Sequence, residues 1–71
     1  MPISYRPLWV SLAERGLKKG YLRESLGFSS ATVARMGKNE YVSLEAIDKI
    51  CSALDVPVEK VISYEREGTT D

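Results

Sequence analysis

Five times along this chain an apolar residue is followed, five positions later, by another: Ile3 and Leu8, Leu17 and Leu22, Phe28 and Val33, Val42 and Ile47, Val56 and Val61. That spacing is the hydrophobic staple, in which the residue before a helix cap packs on one in the first turn. In three cases the intervening cap position is a serine (Ser4, Ser29, Ser43), whose hydroxyl can accept from an unpaired first-turn N–H. Lys18 and Pro57 occupy the other two and are poor caps. Glycines supply the stops: Gly16, Gly27 and Gly37 each fall where a helix would end on a left-handed residue. Pro7 lies within a first turn, where its missing N–H leaves no gap. The pattern predicts helices over about 5–15, 18–26, 30–37, 44–54 and 58–63. No stretch alternates long enough to read as a strand, although Ile3–Tyr5 and Ile62–Tyr64 can form a short two-stranded pair.

The apolar positions also define a core. Ile47, Ile50, Cys51 and Leu54 recur at helical spacing and form one stripe of the fourth helix. Leu8, Trp9 and Leu12 come from the first helix, Leu22 and Leu26 from the second, and Val33 and Met36 from the third. On this reading Cys51 is a small apolar filler rather than a reactive thiol. Trp9 is a core plug rather than a base-stacking platform, since single-strand binders interleave several aromatics with basic residues.

Length and composition narrow the class. Seventy-one residues make one small domain with short loops. Residues 1–65 are expected to form the domain and 66–71 a polar tail. One cysteine excludes an internal disulfide and fits a reducing, cytoplasmic setting. Arg6, Pro7 and Glu14 interrupt the only N-terminal apolar stretch, so a signal peptide is not expected, and no apolar run is long enough for a membrane span. The chain has no histidine and no metal-ligand cluster, and it is too small for a deep pocket. Glu45 and Asp48 could be imagined as a carboxylate pair. They belong to the solvent side of the fourth helix, where Glu45 is spaced to support Lys49. Neither an enzyme nor a cofactor, metal or small-molecule substrate is expected.

Net charge is zero, but it is unevenly spread. Residues 1–40 carry seven basic side chains (Arg6, Arg15, Lys18, Lys19, Arg23, Arg35, Lys38) against three acidic ones, and residues 41–71 carry three against seven. Such a half can present a steering face to a polyanion, although small domains also show unevenness by chance.

The informative segment is Lys18–Lys38. Two short helices joined through Gly27-Phe28-Ser29 must cross at a steep angle. Leu22, Leu26, Phe28, Val33 and Met36 turn inward, which leaves Ser29, Ser30, Ala31, Ala34, Arg35 and, past the end, Lys38 outward. That face is narrow, small and cationic at one end, as insertion into a major groove about 12 Å wide requires.

The chain resembles the Cro/CI-type, lambda-repressor-like helix-turn-helix domains, especially their small stand-alone bacterial members. The resemblance runs from about Tyr5 to Tyr64. It is carried by Gly16-Leu17-Lys18-Lys19 with Leu22, by Leu26 through Val33, by Ala34-Arg35-Met36-Gly37-Lys38, by Ser43-Leu44, and by Lys49 through Val56. It implies an all-α, compact five-helix fold whose helices 2 and 3 form the helix-turn-helix. It also implies that Ser30, Ala31, Thr32 and Arg35 approach base edges or the adjoining backbone. Lys18 and Lys19 would meet a phosphate at the start of the second helix, Ser29 would open the recognition helix, and Lys38 and Asn39 would reach the backbone beyond it. Three positions depart from the family pattern. Lys19 stands where many members have glutamine, and Arg23 where many have a small residue, so Arg23 must snorkel outward or shift the helix crossing. The recognition face also lacks the glutamine and arginine pairs that read adenine and guanine bidentately.

Two functions follow. One is a transcriptional regulator that binds double-stranded DNA, with or without strong sequence preference, as a homodimer on a palindromic site. The other is a protein-interaction module of antitoxin or anti-repressor type that keeps the fold without reading DNA. Val58, Ile62 and Tyr64 either seal the core or leave an apolar edge for a second copy.

Overall fold

The computed structural model describes residues 3–65, so the tail expected over 66–71 lies outside the described residues. Four α-helices follow one another: α1 (Arg6–Glu14), α2 (Gly20–Glu24), α3 (Ser30–Gly37) and α4 (Leu44–Leu54). A single 3-10 turn (Val58–Lys60) comes next. Two short strands, β1 (Ile3–Ser4) and β2 (Ser63–Tyr64), pair antiparallel with Ile3 opposite Tyr64 and Ser4 opposite Ser63.

The serine caps act as their positions dictate. Ser29 Oγ accepts from the Thr32 N–H at 3.1 Å and opens α3; Ser43 Oγ accepts from the Ala46 N–H at 3.1 Å and opens α4. Replacing Ser43 with alanine is expected to cost about 1 kcal/mol of stability. A denaturant melt checks this, and an unchanged midpoint would count against the cap. Ser4 departs from its expected role. It lies in β1, the cap position of α1 passes to Tyr5, and the Ser4 hydroxyl accepts from the Arg6 N–H at 3.1 Å.

The helix stops agree with the glycines at Gly16 and Gly27, whose φ angles are +70° and +75°. At Gly16 the chain makes the paired bonds of a Schellman turn, Gly16 N–H to Ala13 O and Leu17 N–H to Leu12 O. Gly37 does not play this part. It is the last residue of α3, and the left-handed residue is Asn39, at φ +58°. Asn39 N–H donates to Met36 O and Glu40 N–H to Arg35 O, the same paired closure two residues later than the glycine suggests. Asparagine tolerates this conformation better than most residues.

The five-helix expectation is corrected to four helices and a turn. Pro57 offers no side-chain cap, and the chain beyond it is diverted by α1. Lys60 O accepts from the Ser11 hydroxyl at 2.9 Å, and Val61 O accepts from the Leu8 N–H at 3.1 Å. Past Val61 the backbone is engaged in strand pairing, Ser63 with Ser4 and Tyr64 with Ile3, and the chain extends into β2 instead of a helix. The second helix is also shorter than expected, because neither Lys18 nor Lys19 caps it by side chain and glycine at position 20 is a poor helix former.

Tyr5, Leu8, Leu12, Leu22, Val33, Met36, Ile47, Ile50, Leu54 and Val61 form one buried cluster. Arg15 fastens its far side, donating from one guanidinium nitrogen to Ser11 O and from the other to Leu54 O, both at 3.1 Å. A cation at the C-terminal end of α4 also suits that helix's dipole. Arg15 is therefore committed to the scaffold.

Candidate nucleic-acid interface

The turn between α2 and α3 is built from Leu22 inward and Phe28 above it. Leu22 is the one buried residue of α2, and its carbonyl accepts from the Phe28 N–H at 3.1 Å. Phe28 then packs partly against the core, and α3 seats Val33 and Met36 in it. Two inward residues fix which side of an eight-residue helix faces out. Ser29, Ser30, Ala31, Ala34, Arg35 and Lys38 are all exposed, and Thr32 is half-buried. Ala31, Ala34, Arg35 and Lys38 recur at offsets of three, four and seven, so they share one face. No large apolar side chain interrupts it.

Some of the residues singled out from sequence are partly occupied. The hydroxyls of Ser29 and Thr32 lie 3.0 Å apart in a mutual hydrogen bond, which ties both to the first turn of α3. Asn39 is half-buried, and its Oδ1 accepts from the Tyr5 N–H at 3.1 Å. The buried Tyr5 phenol in turn donates to Glu40 O at 2.7 Å. Burial pushes this phenol above its ordinary range, opposed by a hydrogen bond to the Val42 backbone. Tyr5 thus holds the segment that leaves α3 at two points. Lys18 and Arg23 are exposed, as the sequence implied for Arg23. Lys19 is exposed too, but its ammonium rests 4.7 Å from the centroid of the Trp9 ring. Trp9 is half-buried, packing one part of its ring system on the core.

Between α3 and α4 lies a cleft of about 400 Å³, lined among others by Ser29, Thr32, Arg35, Ser43, Glu45 and Lys49. Sequence spacing suggested that Glu45 supports Lys49; among the described residues the two line this cleft without forming an ion pair. Lys49 therefore adds a second cation beside Arg35, which nothing local in the sequence signals. Cys51 is half-buried against the core. Burial pushes its thiol up, and Asp48 and Glu59 act in the same direction, the opposite of what a reactive thiolate needs. Among the described residues no helix is long and apolar enough to cross a membrane.

The sequence profile of the Cro/C1-type HTH DNA-binding domain matches residues 7–67. The chain belongs to this family. Among solved structures, one described as the crystal structure of transcriptional regulator VanUg, Form II, is similar to it at 42% identity. The match covers 93% of this chain and 88% of that one, with a TM-score of 0.88. No curated protein matches.

Proposed function

We propose that this Cro/C1-type domain is a transcriptional regulator that binds double-stranded DNA with α3 in the major groove. The observation that carries the reading is the exposed face of α3, small along its length and cationic towards its end, on a helix capped at Ser29 and closed at Asn39. Ser30, Ala31, Thr32 and Arg35 approach base edges or the adjoining backbone, and Lys18, Lys19 and Lys38 meet phosphates. Ser29 fixes the helix start. Asn39 acts mainly through the Tyr5 contact that shapes the following loop. The short side chains along the face favour modest base discrimination, since Arg35 is the single residue among them with a bidentate donor.

Homodimerisation belongs to the same proposal. Val58 and Tyr64 are exposed while Ile62 packs partly on the core, so the C-terminal apolar residues are only partly used by the fold itself. Two copies would present recognition helices about 34 Å apart, one turn of duplex. With about four phosphates engaged per subunit, log affinity should fall against log salt with a slope of about −7 for a dimer and about −4 for a monomer. A duplex titration at several salt concentrations reads this slope directly. No binding at low salt would overturn the proposal.

A further inference from the structure

The position of Lys19 is set by more than its place at the start of α2. Its ammonium lies 4.7 Å from the Trp9 ring centroid, within cation–π range. The same nitrogen would stand 3.5 Å from a Cβ built at Gly37, in the last turn of α3. A long, flexible side chain from one helix is thus held between an aromatic ring on α1 and the end of the recognition helix. The C-terminal end of α3 carries partial negative charge, which favours a cation at this spot. Gly37 has no Cβ and so leaves this space to the ammonium. Trp9 covers one side of the ammonium, and a lysine has three N–H donors, so the outward side stays free for an anion.

We propose that Trp9 is a positioning residue for DNA binding: it fixes the Lys19 ammonium beside the end of α3, where that cation takes a backbone phosphate of the bound duplex. The proposal rests on the DNA-binding reading above. An unrestrained lysine would lose rotamer freedom on meeting the phosphate, and pre-positioning removes much of that cost. Trp9 itself touches no nucleic acid in this arrangement.

The test is a double-mutant cycle on the full chain, measuring affinity for one duplex and its salt slope. The variants are Trp9→Leu, Trp9→Phe, Lys19→Met and Trp9→Leu with Lys19→Met. Trp9→Leu is expected to weaken binding roughly two- to fivefold, the size of a partly exposed cation–π contact. It should also make the salt slope shallower, towards that of Lys19→Met. Trp9→Phe keeps an aromatic face and should recover most of the affinity; should Trp9→Leu fail to fold, the tryptophan emission of Lys19→Met without DNA decides the pairing. In the Lys19→Met background the Trp9 substitution should change affinity little. Equal losses with and without Lys19, or an unchanged slope, would overturn the positioning role while leaving DNA binding intact. Absence of duplex binding by the wild type would overturn both. The chain holds a single tryptophan, so its emission gives a further readout. Lys19→Met should shift it without DNA, and an unshifted spectrum would contradict the pairing.

Discussion

Alanine at both Arg35 and Lys38 is expected to abolish most duplex binding while leaving the fold intact. Both side chains are exposed on one face of α3, and neither makes a side-chain hydrogen bond or ion pair among the described residues. Surface substitutions of that kind change stability by about 0.5 kcal/mol or less. Binding is another matter. An arginine at a base edge contributes about 1–3 kcal/mol, roughly a 5- to 150-fold change in affinity, and losing a phosphate lysine lowers the salt slope by about one per copy. The single variants separate the two roles. Arg35→Ala should weaken binding to a preferred site more than to an arbitrary duplex, and Lys38→Ala should weaken both alike. Fluorescence anisotropy with two duplexes, alongside a thermal melt, checks both statements. A double variant that stays folded and binds as the wild type does would remove α3 from the interface.

Leu22→Ala should bring the largest loss of stability. Leu22 is 0% exposed and is the only fully buried side chain of a five-residue helix, whose Tyr21 packs against the core only in part. Truncating a buried leucine costs about 2–5 kcal/mol. A domain of this length has in total about 4–11 kcal/mol, at roughly 0.05–0.15 kcal/mol per residue. The melting temperature should fall by on the order of 10 °C or more. The loss should also reach function, because the turn that aims α3, where the backbone at position 22 accepts from the Phe28 N–H, loses the side chain that seats it in the core. Thermal unfolding followed by circular dichroism reads the effect. A midpoint within a degree or two of the wild type would mean that α2 is held by something other than Leu22.

The parts of this fold that were legible in the sequence are those decided within a few residues. The bounds expected for the third and fourth helices, 30–37 and 44–54, are those of α3 and α4, because Ser29 and Ser43 cap them locally and apolar residues staple them. The outward face of α3 was legible for the same reason: burial of Val33 and Met36 leaves only one side for Ala31, Arg35 and Lys38. What local pattern could not supply were pairings across the chain. The fifth helix is cut to a single turn where Ser63 and Tyr64 pair with Ser4 and Ile3, while Ser11 and Leu8 tie the carbonyls of Lys60 and Val61 to α1. The left-handed residue that closes α3 is Asn39 rather than Gly37, because a closing turn is available there and Tyr5, 34 positions earlier, donates to the asparagine. The meeting of Lys19 with Trp9 and the commitment of Arg15 to Leu54 likewise join helices distant in sequence. Arg15 thereby leaves the pool of cations that uneven charge alone would have assigned to a binding face.

These pairings share a consequence. Tyr5, Asn39 and Glu40 join the start of α1 to the exit of α3, while Leu22 and Phe28 hold its entrance. α3 is therefore fixed at both ends by contacts that leave its outer face unobstructed. On the proposed reading, a face supported in this way would need little rearrangement on meeting DNA.

The most direct test of α3 as the DNA-reading element is an NMR titration of the labelled chain with a short duplex, following every backbone amide. The largest shifts are predicted over Ser29–Lys38, with a second group around Lys18 and Lys19, and little change at Tyr41, Leu44 and Tyr64. These last three are large, exposed apolar residues, Leu44 being 80% exposed. Amides of α3 that stay unmoved at saturating duplex, whatever shifts elsewhere, would contradict the account.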